Sequence, residues 1–185
     1  MGYNGRQPAG FTLLEVLLAT FILGIVALAA IPSFTSSGGA RLEVAASEVA
    51  SAIRFARSEA LRTGQPHGVY ATTAAQRLQV YRLVEFLGIP VPTYDVRNPL
   101  DKQLYDLKFG TDPVLSGVTV VGAEFLYTGS TDGGGYLGFD PIGTPKYTSG
   151  GTVRMLVSAS VELSYRGDCM VVKVQPMTGR VMIDD

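Results

Sequence analysis

The sequence predicts an α+β protein in which a long N-terminal transmembrane and amphipathic helix packs on a C-terminal antiparallel β-sheet domain. Three observations predict this fold class. Residues 11–31 are almost entirely apolar, residues 41–63 repeat apolar side chains at helical spacing, and the chain beyond residue 64 alternates apolar and polar residues between glycine-rich turns. A helical region followed by consecutive strands is typical of α+β proteins.

The apolar run has the length of a membrane-spanning helix. At about 1.5 Å per residue it extends roughly 30 Å, which is the thickness of one bilayer hydrocarbon core. Glu15 is the sole charged residue in this run. A charged side chain inside a spanning helix costs roughly 2.5–3.5 kcal/mol on insertion scales and usually marks function. Glu15 therefore needs an explanation beyond anchoring.

A second helical segment follows an expected interruption. Pro32 removes a backbone donor and the two glycines before residue 40 weaken a helix, so we expect a kink at Pro32. Helical periodicity is then clear over residues 41–63, and Gly64 with Pro66 predicts the end of the helix. The apolar stripe of this segment consists of Leu42, Ala45, Val49, Ile53, Ala56 and Ala60.

The chain beyond residue 64 predicts an antiparallel β domain. Residues 67–73 and 77–84 alternate around a short polar connection, which favours a hairpin. A loop is expected over residues 90–111, where prolines and aspartates are frequent. Further strands are predicted at residues 117–127, 135–140, 153–165, 169–175 and 180–183.

Composition excludes several classes of function. The formal net charge is −1, so no basic excess suggests a nucleic-acid partner. His67 is the only histidine, which excludes a histidine-rich metal site, and we interpret it as a surface or satisfied core residue. Cys169 is the only cysteine and is predicted to be a small buried hydrophobe. No nucleophile with a recognisable base and no phosphate-binding glycine motif is present, so we expect neither an enzyme nor a cofactor or metal.

Three interpretations of the N-terminus remain. Ala27-Leu28-Ala29 resembles a signal-peptide cleavage site, and a plain signal anchor would also explain the length of the run. The third interpretation rests on residues 10–15, GFTLLE, which resemble the cleavage and methylation site of type IV prepilin-like proteins. Only this interpretation accounts for Glu15.

The resemblance to type IV prepilin-like proteins assigns roles to single residues. It implies that a prepilin peptidase cleaves between Gly10 and Phe11 and that the new Phe11 amine is N-methylated. Pro32 also fits, because many pilins of this type carry a proline at that distance from the cut. A carboxylate in lipid needs a cationic partner, so we expect Glu15 to form an assembly salt bridge with the Phe11 amine of its own or a neighbouring subunit.

Three further segments narrow the resemblance. They are similar to segments of H-type (GspH) pseudopilins of type II secretion and of FimT-like minor pilins. The segments are FARSEALRTGQP, which closes the second helix, the FDPIG turn at residues 139–143, and VQPMTGRV at residues 174–181. The organisation this implies is a leader at 1–10, a transmembrane helix at 11–31, a kink and amphipathic helix at 32–63, and a periplasmic β domain at 64–185.

The resemblance implies a minor pseudopilin that is a single-pass protein of the bacterial inner membrane. It would join or prime a secretion filament. Its implied partners are other pseudopilins or pilins contacted through the N-terminal helix, the prepilin peptidase, the inner-membrane assembly platform and membrane lipid. A FimT-like minor pilin in pilus biogenesis or DNA uptake, or a plain anchored periplasmic domain, are the alternatives.

Some residues near these segments have simpler interpretations. Arg57 and Glu59 are predicted to lie on the solvated face of the helix, and Gly179-Arg180 is predicted to be a turn before an edge strand. Basic residues near the C-terminus of FimT-like proteins contact DNA, which makes Arg180 a candidate contact. Asp184 and Asp185 would repel phosphates, so nucleic acid is not the expected partner. The loop around Asp132 offers too few oxygens for calcium.

Overall fold

The computed structural model describes residues 12–29, 37–129, 134–149 and 152–184. The chain divides into two units, residues 1–36 and 37–185. The first contains helix α1 (Leu13–Ala29), and the second begins with helix α2 (Ser37–Thr63). The strands are β1 (His67–Thr72), β2 (Arg77–Phe86), β3 (Ile89–Thr93), β4 (Asp106–Lys108), β5 (Thr119–Tyr127), β6 (Tyr136–Phe139), β7 (Lys146–Ser149), β8 (Thr152–Tyr165), β9 (Asp168–Val174) and β10 (Val181–Asp184).

The strands form two antiparallel sheets. The first has the order β3-β2-β1-β6, and β4 also pairs with β2. The second has the order β10-β9-β8-β5, and β7 also pairs with β8. The predicted α+β class and the predicted hairpin are confirmed, since β1 and β2 pair from His67 with Arg82 to Thr72 with Arg77.

The prediction of a loop over residues 90–111 is wrong in part. It contains most of β3 and all of β4, and β7 was not predicted either. The β3 segment reads IPVPT, and its two prolines are typical of loops or edge strands. Strands β4 and β7 have three and four residues, too few for an alternating pattern to be recognised.

Helix α2 starts earlier than the sequence predicts, at Ser37, so its first turn includes Gly38 and Gly39. Pro32 lies outside the described residues. The helix ends at Thr63, followed by Gly64 in the left-handed region at φ 66°, as the stop signal predicts. The predicted apolar stripe is buried throughout.

The buried face of α2 is dominated by alanine. Because alanine side chains are short, the helix backbone can approach the strands closely, and α2 contacts β1, β2 and β6 of one sheet and β8, β9 and β10 of the other. The core therefore lies between one helix and two sheets. The alanines that are fully buried on this helix are Ala45, Ala46, Ala50, Ala52, Ala56 and Ala60.

The single histidine and the single cysteine of the chain differ in burial, and only the prediction for the histidine agrees with the structure. His67 is buried, with 3% of its surface exposed, and its Nδ1 lies 2.9 Å from the Gln65 carbonyl oxygen, so it is a satisfied core residue. The prediction that Cys169 is buried is wrong, because it is exposed. Cys169 is the second residue of β9, beside the Arg166-Gly167 turn, and the buried positions of that strand begin further along.

The first sheet requires glycine where it packs against a tyrosine ring. Gly68 on β1 is paired with Gly138 on β6, and the buried Tyr81 side chain lies over both, with its hydroxyl donating to the Leu137 carbonyl at 3.4 Å. A Cβ atom on Gly68 would collide with the Leu137 oxygen and with the Tyr81 ring. The pair thus leaves room for Tyr81 in the core.

We expect Gly68→Ala to lower the free energy of unfolding by about 3 kcal/mol, because backbone must move to admit the methyl group. Gly39→Ala is the matched control: no atom lies within 4 Å of its added Cβ, and alanine favours helix by up to about 1 kcal/mol. Urea unfolding of both variants measures the two effects. A Gly68→Ala protein as stable as wild type would contradict the packing described.

Candidate assembly site

Over residues 12–23, helix α1 presents large apolar side chains on every side. The exposed fractions of its described large apolar side chains, within residues 12–23, range from 51% to 82%. At 100° per residue these positions fall all around the helix axis, so no polar face exists for water. They are Leu13, Leu14, Val16, Leu17, Leu18, Phe21, Ile22 and Leu23. Such a helix requires an apolar environment around its whole circumference.

Among the described residues, neither helix combines the length and the apolarity of a membrane-spanning segment.

Glu15 lies in the first turn of α1, where Thr12 caps the helix. The Glu15 amide donates to the Thr12 carbonyl at 3.0 Å and to Thr12 Oγ1 at 3.3 Å. Thr12 and Glu15 have the spacing of a capping box, of which this is the half made by the threonine. A carboxylate in the first turn is also favoured by the helix dipole. The position therefore lowers the cost of the charge without neutralising it.

In the part of the chain that the structure describes, the polar groups near Glu15 do not neutralise its carboxylate. Thr20, the next polar residue, donates its hydroxyl to the Leu17 carbonyl at 3.0 Å, so it is satisfied within the helix. Within the described residues no ion pair involves Glu15. Gly10 and Phe11 lie outside those residues, so the predicted cleavage site and the predicted salt bridge stay predictions.

The three segments that resemble H-type pseudopilins converge on one side chain, Arg57. It is half-buried on α2, and its Nε donates to the Gly143 carbonyl at 3.0 Å. The turn at Gly179 approaches from the other side, so that a Cβ atom placed there would lie 3.1 Å from Arg57 Nε. The interpretation of Arg57 as a solvated residue is wrong, because two turns cover the helix at this point.

Both turns require glycine at the contact. Gly143 has φ 77° and Gly179 has φ 66°, a region that other residues rarely adopt. An added Cβ on Gly143 would meet Leu61 at 3.2 Å, and one on Gly179 would meet Phe139 at 3.2 Å. The glycines therefore serve both the turn geometry and the close approach to α2.

Asp140 fixes the first of these turns. Its Oδ1 accepts from the amides of Ile142 at 3.1 Å and Thr144 at 2.8 Å, and its Oδ2 lies 2.8 Å from Lys146 Nζ. Burial alone would raise the pKa of this carboxyl, but the lysine and the two amides outweigh burial and lower the pKa below its ordinary value. The turn is thus held by an ionised aspartate.

The remaining predicted residues differ in burial, and the prediction that Glu59 lies on the solvated face of the helix is wrong. Glu59 is half-buried, and it pairs with the exposed Arg62 through two hydrogen bonds of 2.9 and 2.6 Å. Arg180 is exposed in the turn before β10, which is an edge strand as predicted. Lys173 on the adjacent strand is paired with Asp184 at 2.8 Å. Arg54 donates to the Val181 carbonyl at 3.5 Å, and Arg57 lies beside Gly179, so two further cationic side chains contact the residues that flank Arg180.

Sequence reasoning missed Arg57, Asp140 and Lys146. The only signal available was the repetition of glycine at the end of two turns, Gly143 and Gly179, since a glycine after a polar turn often permits a close contact. Which helix residue the turns would contact depends on the packing of α2 and could not be seen in the sequence.

The apolar helix and the two-sheet domain define a pilin-type filament subunit. The family model for Type II transport protein GspH matches residues 45–177, and the model for the prokaryotic N-terminal methylation motif matches residues 5–31. This chain belongs to the GspH family, whose members are structural pseudopilin subunits and not enzymes. The predicted family resemblance is confirmed.

A solved pseudopilin structure has a similar fold. The chain is similar to the minor pseudopilin EpsH of the type 2 secretion system of Vibrio cholerae, with 15% identity and a TM-score of 0.50 over 77% of this chain and 95% of that one. It is also similar to the type IV minor pilin FimU of Pseudomonas aeruginosa, with 17% identity and a TM-score of 0.45 over 83% and 93% of the two chains. No curated protein sequence matches this chain.

We expect Arg57→Met to destabilise the β domain by about 2 kcal/mol, because the Gly143 carbonyl loses a charged donor at a half-buried site. Arg62→Met is the matched control on the same helix, where an exposed ion pair contributes little. Thermal unfolding of the two variants checks the difference. Equal melting temperatures for both would contradict the role of Arg57.

Asp140 makes stability depend on pH. Because the pKa of its carboxyl is lower in the folded chain, its contribution is complete at neutral pH, begins to decline near the ordinary pKa and is lost as pH falls through the lower pKa of the folded state. We expect the difference in Tm between wild type and Asp140→Asn to be largest near pH 7 and to shrink below about pH 4. Thermal melts across this range test it, and a difference independent of pH would contradict it.

Proposed function

We propose that this chain is a minor pseudopilin of a type II secretion system. Residues 11–31 anchor it in the bacterial inner membrane, and the unit that begins at residue 37 lies in the periplasm. There it joins or primes the pseudopilus that drives protein export. The observation that carries this proposal is the apolar surface of α1 around its whole circumference, with Glu15 the only charge in its described part.

Such a helix suits two environments in succession. Before assembly, lipid covers the apolar side chains, and after assembly the same surface packs against the helices of neighbouring subunits. Lipid and packed side chains are similarly apolar, so transfer between them has a small net driving force. Something other than hydrophobic burial must therefore favour the assembled state.

Glu15 supplies that preference. A prepilin peptidase that cleaves between Gly10 and Phe11 leaves a cationic amine one helical turn before the carboxylate. Pairing of this amine with Glu15 of an adjacent subunit removes the cost of an isolated charge in an apolar environment. Because the pair forms only at one stagger of the two helices, it also sets the register of the subunits. The inner-membrane assembly platform would receive the processed subunit.

A minor type IV pilin would use the same N-terminal machinery. For DNA uptake it would also need a positive surface, whereas the β domain from residue 64 onward has more acidic than basic residues. We therefore prefer secretion to DNA uptake.

Glu15→Gln tests the proposal in membranes that contain the assembly system. We expect cleavage to continue and incorporation into filaments to fall at least about tenfold, since the amine loses its partner while the shape of the side chain is kept. The readout is the amount of this subunit in sheared filaments, with Glu43→Gln on the exposed face of α2 as the matched control.

Mass spectrometry of the mature protein is the second measurement. N-methylated Phe11 is the expected N-terminus. An intact leader or a cut near Ala29 would contradict the proposal, and so would a Glu15→Gln protein that enters filaments as well as wild type.

A further inference from the structure

The β2–β3 hairpin extends beyond the rest of its sheet. Strand β1 pairs with β2 only as far as Arg82, whereas β2 and β3 continue to the pair of Phe86 with Ile89. The two strands are joined by Leu87 and Gly88, with φ of 53° and 77°. Positive φ at both central residues is typical of a type I′ turn. The projecting part is therefore a rigid hairpin and not a loose loop.

One face of this hairpin is apolar and exposed. Phe86 is directly opposite Ile89, and Val84 is opposite Val91, so all four side chains share a face. Leu87 at the tip is 87% exposed, Phe86 67% and Ile89 63%. Glu85 is the only ionisable residue between residues 83 and 93, and because it alternates with Val84 and Phe86 its side chain lies on the opposite face. We call Val84, Phe86, Leu87, Ile89 and Val91 the hairpin patch.

The residue at the tip is costly for folding. A leucine with φ of 53° occupies a conformation that glycine or asparagine adopts far more easily. Its side chain is almost fully exposed, so it adds nothing to the core. Strain retained without a packing reason points to function at that position.

The edge of β3 is closed to strand addition. In a two-residue hairpin the residues flanking the turn, here Phe86 and Ile89, form a hydrogen-bonded pair, and such pairs alternate along the ladder. The positions whose backbone faces outward are then Pro90 and Pro92, which have no N–H to donate. A partner must therefore contact side chains of the patch, and it cannot extend the sheet.

The size of the patch indicates what kind of partner it suits. Its exposed side chains offer on the order of 400 Å² of apolar surface, about half of what each partner contributes to a standard stable interface. Two free proteins would associate weakly through it. Two subunits that are already held together by another attachment would not need a larger contact area, because tethering raises the effective concentration of the two surfaces.

The patch also lies at one end of the globular unit. The amide of Leu83 donates to the Pro66 carbonyl at 2.9 Å, and Pro66 follows the C-terminal end of α2. Ser37, where the chain enters this unit, is at the opposite end of the helix. The hairpin thus faces away from the entry of the anchor segment. This position suits contact with another subunit of the filament.

We propose that the hairpin patch docks on an uncharged apolar surface of the adjacent pilin-type subunit in the same filament. The inference rests on the proposed function, because the N-terminal helices supply the tether. The contact is made by side chains, with Leu87 at its centre and the prolines preventing extension of the sheet.

Photocrosslinking of the full-length protein in assembling membranes tests the partner. Benzoylphenylalanine replaces Leu87, and in the matched control it replaces Leu100, which is 91% exposed on a loop outside the patch. We expect a crosslink at position 87 alone, to a protein whose mature N-terminus is an N-methylated pilin-type residue. Crosslinks at 87 only to lipid, only to a protein without that N-terminus, or equally at both positions would overturn the proposal.

A double variant, Phe86→Ser with Ile89→Ser, tests the contribution of the patch. We expect its incorporation into filaments to fall about tenfold, with cleavage and melting temperature unchanged, while Leu100→Ser behaves as wild type. If wild type enters filaments and the double variant enters equally well, the docking proposal alone fails. If wild type never enters filaments, the proposed function fails and the docking proposal with it.

Discussion

The packing of the alanine face of α2 against both sheets is the constraint on which the globular unit depends. Short side chains bring the helix backbone close to the strands. On the other face of the first sheet, the glycine pair of Gly68 and Gly138 leaves room for the Tyr81 ring, which packs against Tyr94 and Tyr136. The same closeness places Arg57 within reach of the turns at Gly143 and Gly179. A bulkier helix face would separate these turns from α2, so the helix determines where the C-terminal part of the chain is held.

The two units differ in whether their described charged side chains have partners within the chain. In the globular unit, ionised side chains such as Asp140 have partners within the chain, and their hydrogen bonds organise turns. In α1, what stabilises Glu15 within the described residues is its position in the first turn, beside the cap made by Thr12. A charge without an internal partner in an apolar helix favours association with another molecule. Such charges of the globular unit are thus satisfied within the chain, whereas the proposed partner of Glu15 is the Phe11 amine of a neighbouring subunit.

Features that depend on interactions between residues close in sequence could be predicted, and features that depend on packing could not. The apolar run, the stripe on α2, its end at Gly64 and the β1–β2 hairpin depend on neighbours within a few residues, and these predictions agree with the structure. Strands β3, β4 and β7 were missed because prolines or short length hide their pattern. Cys169 was misjudged because an apolar neighbourhood in sequence does not decide which side of a strand faces solvent.

The sequence by itself determined the α+β class and the family, because these depend on composition, period and short motifs, and the pairing of Glu15 with Phe11 stays a prediction of the same motif. Only the tertiary structure decided that Arg57 joins three distant segments and that an apolar hairpin projects beyond the sheet. Both depend on contacts between residues far apart in the chain, as between Arg57 and Gly143 or Leu83 and Pro66. The physical reason is that burial and hydrogen-bond partners are set by packing, which local patterns do not encode.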